Sequence, residues 1–469
     1  MRLNSMKYIS LALFSALMLL TSCHDFLDIK PFGKTIPKTT EEYQALINNY
    51  LAGIDGQDAG SGEARYLFFG NDDVEYFELY ADNYEKALIE QPLGSGLRRY
   101  IGSYIQGQNA YDDYYAIISR CNMVFDNYTD GKDTQDGQDL IGTSYALRGL
   151  AYYQLLRQYC KPALADDNDL GVPIVTTFDM EAKPIRSSYE ATVAQIESDF
   201  EAAIKCNIQN ESMLFNNDIL KGLLARLYFW TGQWQKAQTM AEDVLSRHPV
   251  LSGDAYKKMM TAEDGLAGNM LIRCDRVPRN TYTFDNLNRT LVAAPLTAEF
   301  VDLFKEKDKD IRYSLFFTRK RKNNKIFFSG LRSAELALID MECSYHLKNE
   351  TEALQKLNEF RAKRIEDVTP YTMSTLPAVN TKQLIKTDAT GLPLTPLIQA
   401  ILNERRKELY LEGDRFFELK RNGRPEFWSL NNSMKYTTYK YMYTFPIAPK
   451  DIQVNSGIIQ NPGYTELIY

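Results

Sequence analysis

Tryptophan, histidine and cysteine are scarce in this 469-residue chain, at 3, 3 and 6 residues. His24, His248 and His346 lie far apart and form no HExxH pair, so a zinc centre built on histidine lacks its ligands. No CxxC occurs, and no cofactor motif emerges, so no cofactor is expected. Positive charge is not in excess either. The 54 basic residues against 61 acidic ones give −7, which leaves no field to draw phosphate and argues against a nucleic-acid partner. Long apolar runs are missing apart from residues 9–20, and that stretch is too short to cross a bilayer core. Aromatic residues, by contrast, are plentiful: 31 Tyr and 23 Phe exclude disorder as the dominant state. The length suffices for one large core or two.

Arg2 and Lys7 ahead of the 9–20 stretch have the layout of an export signal, assigned to residues 1–22. Leu20-Thr21-Ser22-Cys23 stands where a small-x-small cleavage site belongs and resembles a bacterial lipobox. That resemblance implies lipidation at Cys23, with the acyl chains holding the mature chain 23–469 to a membrane. Five cysteines then remain. An odd count argues against a complete disulfide framework, and Cys121, Cys206 and Cys343 fall inside helical patterns as small apolar residues.

The body reads as helix after helix. Thr39-Thr40-Glu41-Glu42 is a capping box for a helix to about residue 50, followed by a Gly/Asp loop. Helical spacing marks 111–128 and 140–159, Ser187-Ser188 caps a helix to about 206, and Thr395-Pro396 opens one to 411. Strand-like text is confined to 172–176, 325–329 and 436–445. Leu224, Tyr228, Gly232, Trp234, Ala237, Leu245 and Pro249 fall at tetratricopeptide offsets across a hairpin of 218–230 and a helix to 247. The stretches 332–347 and 351–364 make a second such pair, and 111–128 with 140–159 a third. The fold class is therefore mostly α, a tetratricopeptide-like helix-hairpin scaffold with a few short strands. Long inserted loops at 53–110, 250–330 and 365–394 interrupt it, and loops of that size carry function.

Several stretches form an ordered set. They are Cys23-His24-Asp25-Phe26-Leu27-Asp28, Tyr145-Ala146-Leu147-Arg148-Gly149-Leu150-Ala151-Tyr152-Tyr153, Gly171-Val172-Pro173-Ile174-Val175 and Leu223-Leu224-Ala225-Arg226-Leu227-Tyr228. Glu404-Arg405-Arg406-Lys407-Glu408-Leu409 follows, leading to Glu412-Gly413-Asp414-Arg415, and Gln460-Asn461-Pro462-Gly463-Tyr464 closes the chain. Together they resemble the SusD-like (RagB/SusD) family of Bacteroidetes outer-membrane nutrient-binding lipoproteins. Met341-Glu342-Cys343 and Cys160-Lys161 depart from the family pattern at packing positions. The resemblance implies a SusD-like α-α superhelix, one domain over 23–469 with parts meeting near 265. It implies a lipid anchor in the outer membrane, exposure at the cell surface and a SusC-like TonB-dependent transporter as partner. The implied ligand is an oligosaccharide or polysaccharide, bound without catalysis. A peptide receptor of the RagB type, a glycoside hydrolase and a pure protein-interaction scaffold remain the alternatives.

Glu404, Glu408 and Glu412 recur every four residues and invite comparison with the paired carboxyls of glycosidases. Acids interleaved with Arg405, Arg406 and Arg415 are held ionised, which is wrong for a general acid, so an ion-pair network is the expectation. Asp166-Asp167-Asn168-Asp169 misses the EF-hand spacing and reads as a solvated turn rather than a calcium loop. Arg319-Lys320-Arg321-Lys322 with Lys325 reads as a hairpin tip. The alternative is contact with an acidic partner or sugar, aided by Arg273, Arg276, Arg279 and Arg289.

Sugar recognition needs flat aromatic faces beside amides, carboxylates and arginines. Trp230 and Trp234 belong to the repeat and Trp428 to the C-terminal signature, so tyrosine and phenylalanine must supply the platform. Two inserted segments hold both ingredients: Arg65, Tyr66, Phe68, Phe69, Asn71, Asp72 and Asp73 in one, Asn280, Tyr282, Phe284, Asn286 and Arg289 in the other. Family members commonly place ligand contacts in the first.

Overall fold

The computed structural model describes residues 37–55, 67–68, 71–85, 101, 105, 110–163, 170–179, 181–262, 266–274, 295–326, 328–431 and 434–464. Residues 40–469 make one compact unit. Its first half holds α1 (Thr40–Ile54), α2 (Asn71–Tyr80), α3 (Tyr111–Asn127), α4 (Gln135–Tyr159), α5 (Tyr189–Cys206), α6 (Asn217–Trp230), α7 (Trp234–Arg247) and α8 (Gly253–Met260). Its second half holds the short α9 (Ala298–Val301) and α10 (Ile311–Phe316), then α11 (Ser333–His346), α12 (Glu350–Ala362), α13 (Pro396–Glu408), α14 (Arg415–Arg421) and α15 (Pro449–Val454). Strands occur as three antiparallel pairs: β1 (Leu170–Pro173) with β2 (Arg186–Ser188), β3 (Met270–Cys274) with β4 (Ser329–Arg332), and β5 (Phe427–Asn431) with β6 (Met434–Thr438).

The hairpins α3/α4, α6/α7 and α11/α12 stack through α4 on α5, α5 on α6 and α7 on α11, and α13 closes on α11 and α12. Side-chain caps start them where the sequence predicts: Ser188 Oγ accepts from Ala191 N, and Thr395 Oγ1 from Ile398 N ahead of Pro396. The α4 helix begins five residues earlier than its apolar pattern, because Thr134 caps it by accepting from Gly137 N. Small residues set the closest approach. A side chain at Gly142 would meet Cys206 Cβ at 2.7 Å, and one at Gly149 would meet the Phe200 ring at 3.1 Å, so α5 lies directly on α4. Beside Gly149, Arg148 grips Asp199 on α5 with Nη2 at 2.6 Å and Nε at 3.0 Å, and Asn122 on α3 with Nη1 at 2.7 Å. The first signature helix is thus a three-helix clamp.

The other signatures are clamps as well. Arg186 Nε donates to Gly171 O at 2.7 Å, and a side chain at Gly171 would run into Thr192 and Ser188 O. Asn461 Nδ2 donates to Tyr159 O at 2.8 Å and Phe445 O at 2.7 Å, while its Oδ1 accepts from Arg186 at 2.8 Å. The chain's last described turn is thereby stapled to the end of α4.

Several expected boundaries move. The 53–110 insertion contains α2, whose Phe77 packs against Phe416 and Phe417 of α14, so that part belongs to the core. The strand expected at 325–329 starts at Ser329, because Lys325 is drawn inward by charge rather than paired in a ladder. Pairing ends at Thr438 rather than near 445, giving way to a short turn of helix at Lys440–Tyr443. The α13 helix stops at Glu408, since Leu411 and Gly413 take positive φ (60° and 71°). Cys121, Cys160, Cys206, Cys274 and Cys343 are free thiols, all buried except the half-buried Cys206.

Candidate functional site

Most of the sequence candidates lie outside the described residues: Cys23, Arg65, Tyr66, Phe69, Asn280, Tyr282, Phe284, Asn286 and Arg289. So do Arg276, Arg279 and the acidic turn at 166–169. Asn71, Asp72 and Asp73 form the first turn of α2, and their side chains lie outside the description too. Phe68 is described. It is 4% exposed within the core, so its ring offers no open face.

What the fold does show is where the two inserted segments are rooted. A cleft of about 750 Å³ opens between the end of α1, the 208–216 turn and β3. Its volume falls in the range of small-molecule sites, ~300–1,000 Å³. Leu51, Phe215 and Leu271 give it apolar wall, and Asp55, Asn210 and Arg273 give it polar groups. From Asp55 the chain runs into the segment bearing Arg65 and Tyr66; from Cys274 it runs into the one bearing Tyr282 to Arg289. The two insertions also meet at a second junction, where the chain leaves α2 in the first and approaches α9 in the second. Tyr84 and Leu296 form an antiparallel bridge, and Glu85 N donates to Pro295 O at 2.9 Å. Arg321 ties this junction by donating to the Glu85 carboxylate and to Leu296 O, the latter at 2.7 Å. Sequence separation hid this pairing; only the fold shows that the two insertions share their footings.

The charged signature forms the expected ion-pair network, but with different partners. Glu408 has no exposure and accepts from Arg332 Nη1 at 2.7 Å, Arg364 Nε at 2.9 Å and Arg312 Nη1 at 3.3 Å. Glu404 pairs with Lys407 at 2.6 Å and Arg312 at 2.9 Å, and Glu412 with Lys325 at 2.6 Å and Arg332 at 2.8 Å. Arg405, Arg406 and Arg415 instead serve Asp414, Asp82 with Glu299, and Asp82 with Glu418. Adjacent helical residues point about 100° apart, so an arginine beside a glutamate in sequence faces a different neighbour. Burial alone would raise the Glu404 carboxyl, but Lys407 and Arg312 outweigh it and hold it down at about 2. Burial likewise opposes Glu408, yet Arg364, Arg332 and Arg312 keep it well below the usual carboxylate range. Neither acid has a proton to give at neutral pH.

Further charged groups are spoken for. Glu242, Asp340 and Glu352 converge as metal ligands would. The Lys356 ammonium already sits among them, 3.0, 2.5 and 2.5 Å from their oxygens, and supplies the positive charge. The basic run is a tight hairpin, with Thr318 N donating to Lys322 O at 2.8 Å and Arg321 at φ 58°. Lys325 of this run is not at the surface but buried on Glu412, and Arg273, expected to aid the run, lies buried in β3 and donates to Ala262 O at 3.1 Å.

The tryptophans divide unexpectedly. Trp230 is buried, and Trp234 stacks on His346 at 4.3 Å, as the repeat requires. Trp428 is not part of the scaffold core. It is 56% exposed on β5, because its strand neighbours Phe427 and Ser429 take the inward face. Period-two alternation around it was the available signal.

Among the described residues no helix is long and apolar enough to cross a membrane. Comparison with known proteins places the chain. The SusD-like group described as "starch-binding associating with outer membrane" matches residues 25–245, and the SusD family matches 316–464. "SusD-like protein P38" of Formosa agariphila is 22% identical over 250 residues, 51% of this chain but only 45% of that relative's length. A SusD-like carbohydrate-binding protein of Bacteroides vulgatus superposes with TM-score 0.65 at 18% identity, over 90% of this chain and 98% of that one. A laminarin-binding SusD-like protein gives TM-score 0.59 at 17% identity, over 92% and 100%. At such identities these structures share the fold.

Proposed function

The chain belongs to the SusD-like (RagB/SusD) family, and on that premise we propose that it captures oligosaccharide at the cell surface for a TonB-dependent transporter. In this reading lipid on Cys23 holds it to the outer membrane, with which the family is associated. The observation that carries the proposal is the shared footing of the two inserted segments around the 750 Å³ cleft. Tyr66 and Tyr282 would supply ring faces for sugar C–H groups, and Arg65, Asn71, Asp72, Asp73, Asn286 and Arg289 would meet the hydroxyls. Phe284 would add a third ring. Phe68, packed inward, would brace the first segment from beneath.

We read the protein as a binder that does not cleave. The acids that most resemble a catalytic pair are buried and locked in charge pairs, which favours this reading. Affinity electrophoresis of the pure protein through gels holding different polysaccharides is the direct test. Retardation by one of them, weakened in Tyr66→Ala and Tyr282→Ala, is expected. Unchanged retardation in both variants would refute the proposed platforms, and reducing-sugar release would refute binding without catalysis. Oligopeptides co-purifying with a chain that retains no sugar would transfer the site to peptide.

A further inference from the structure

Among the described residues, one face of the β5–β6 ribbon is packed and the other carries the more exposed side chains. Trp428 pairs with Thr437, and Leu430 with Lys435, in a regular antiparallel register. Residues directly opposite share a face, and so do their diagonal neighbours. Lys435 Nζ accordingly lies over the Trp428 ring at 5.1 Å. Tyr439, diagonal on the other side, falls on the same face by register. The opposite face carries Phe427, Ser429, Tyr436 and Thr438, all buried or half-buried.

The more exposed face therefore presents Trp428 and Tyr439 (46% exposed), and Tyr441 (36%) continues it into the following turn. The Tyr439 and Tyr441 rings lie 6.0 Å apart and within 8° of parallel. Tyr441 is held in place. It packs edge-on to the buried Tyr464 at 5.0 Å, and a side chain at Gly463 (φ 92°) would meet its Cγ at 2.6 Å. Polar residues lie beside the rings: the Lys435 ammonium over Trp428, Thr437 opposite Trp428 in the ladder, and the Glu426 carboxylate at the turn. Glu426 Oε1 accepts from Lys440 N at 3.0 Å, which fixes the turn between the rings.

We propose that Trp428, Tyr439 and Tyr441 form a second, accessory platform on which a polysaccharide chain stacks, outside the cleft and the inserted segments. The inference rests on the glycan-binding reading above and extends it. Flat, rigid rings with a polar tip offer large contact area at little cost in side-chain entropy. Their mixed-charge, hydroxyl-bearing rim suits neutral sugar hydroxyls. No residue of this face lines the 750 Å³ cleft, so a long chain could occupy both while a short one fills only the first. Two linked sites raise affinity for the polymer without changing affinity for the fragment.

The test uses the full mature chain with laminarin and soluble starch as probes, each compared with its own trisaccharide. Trp428→Ala and Tyr439→Ala should each weaken retention by the binding polysaccharide roughly ten-fold, as loss of an aromatic anchor does, with trisaccharide affinity unchanged. Trp428→Phe should retain most of the binding. Tyr66→Ala should weaken polymer and trisaccharide alike. Wild-type retention of a polysaccharide that both alanine variants leave intact would overturn the accessory platform alone. Failure of the wild type to retain either polysaccharide would overturn the platform together with the glycan reading. A concentration-dependent dimer in sedimentation that Trp428→Ala abolishes would assign the face to self-association and overturn the proposal.

Discussion

Replacing Glu408 by glutamine keeps the side chain's volume but removes the one carboxylate shared by Arg312, Arg332 and Arg364. In the native protein Glu408 Oε1 accepts from Arg332 Nη1 at 2.7 Å and Arg364 Nη2 at 3.0 Å, and Oε2 from Arg364 Nε at 2.9 Å. The variant turns one acceptor into an NH₂ facing guanidinium donors and leaves three fully buried cations short of one negative charge. Breaking a buried charge pair from one side costs ~3–5 kcal/mol, a large share of a typical ~5–15 kcal/mol total. Unfolding entropy of ~2.1 cal/mol/K per residue over the unit Thr40–Tyr469 comes to ~0.9 kcal/mol/K, so Tm should fall by ~3–6 °C. Scanning calorimetry reads this directly. Adding Arg364→Met to the variant removes one uncompensated charge and should recover part of the loss. A Tm within about 1 °C of wild type for Glu408→Gln would refute the claim that the charged signature is a stability element.

Acid should weaken the fold through Glu404 and Glu342, whose folded pKa values of about 2 lie below the unfolded value of ~4.3. Their contribution is full above ~4.3 and is lost as pH falls towards 2, so urea midpoints should drop across that window and drop less in Glu404→Gln. Glu78 has the opposite sign: burial, only partly offset by Asn83 and Leu411 N, raises it to about 7. Its contribution is present below ~4.3 and lost as pH rises to 7, so Glu78→Gln should gain stability relative to wild type between pH ~5 and 8. Gly142→Ala drives a methyl into Cys206 and Ile208 and should cost ~1–3 kcal/mol, read as a lower urea midpoint at unchanged m-value.

The helical scaffold was legible because its signals are local. A capping hydroxyl, a proline at the first turn and a 3.6-residue apolar rhythm act within a few positions, and α5, α6 and α13 start within a residue of where those signals fall. The charged cluster was legible in kind and not in wiring. That acids amid arginines form pairs follows from composition. That Glu408 chooses Arg312, Arg332 and Arg364 depends on which helix and strand faces meet, and sequence neighbours do not reveal it. Trp428 was misassigned by proximity to a signature motif, whereas strand alternation would have turned it outward. Phe68 erred the other way, an aromatic in an insertion that the core absorbs. The footing shared by the two insertions had no local signal at all, since Tyr84 and Leu296 meet only when the body is complete.

Asn461 reaches back 302 residues to Tyr159, and Arg415 and Leu411 reach back 333 residues to Asp82 and Glu78. Each closes a loop that spans most of the chain, and closures of that span form late and slow the search for the native state. Until the stretch 411–461 docks, α2 and the end of α4 therefore lack these partners. Assembly is thereby governed from late in the sequence: the fold stays unlocked until residues 411–461 close on its first half.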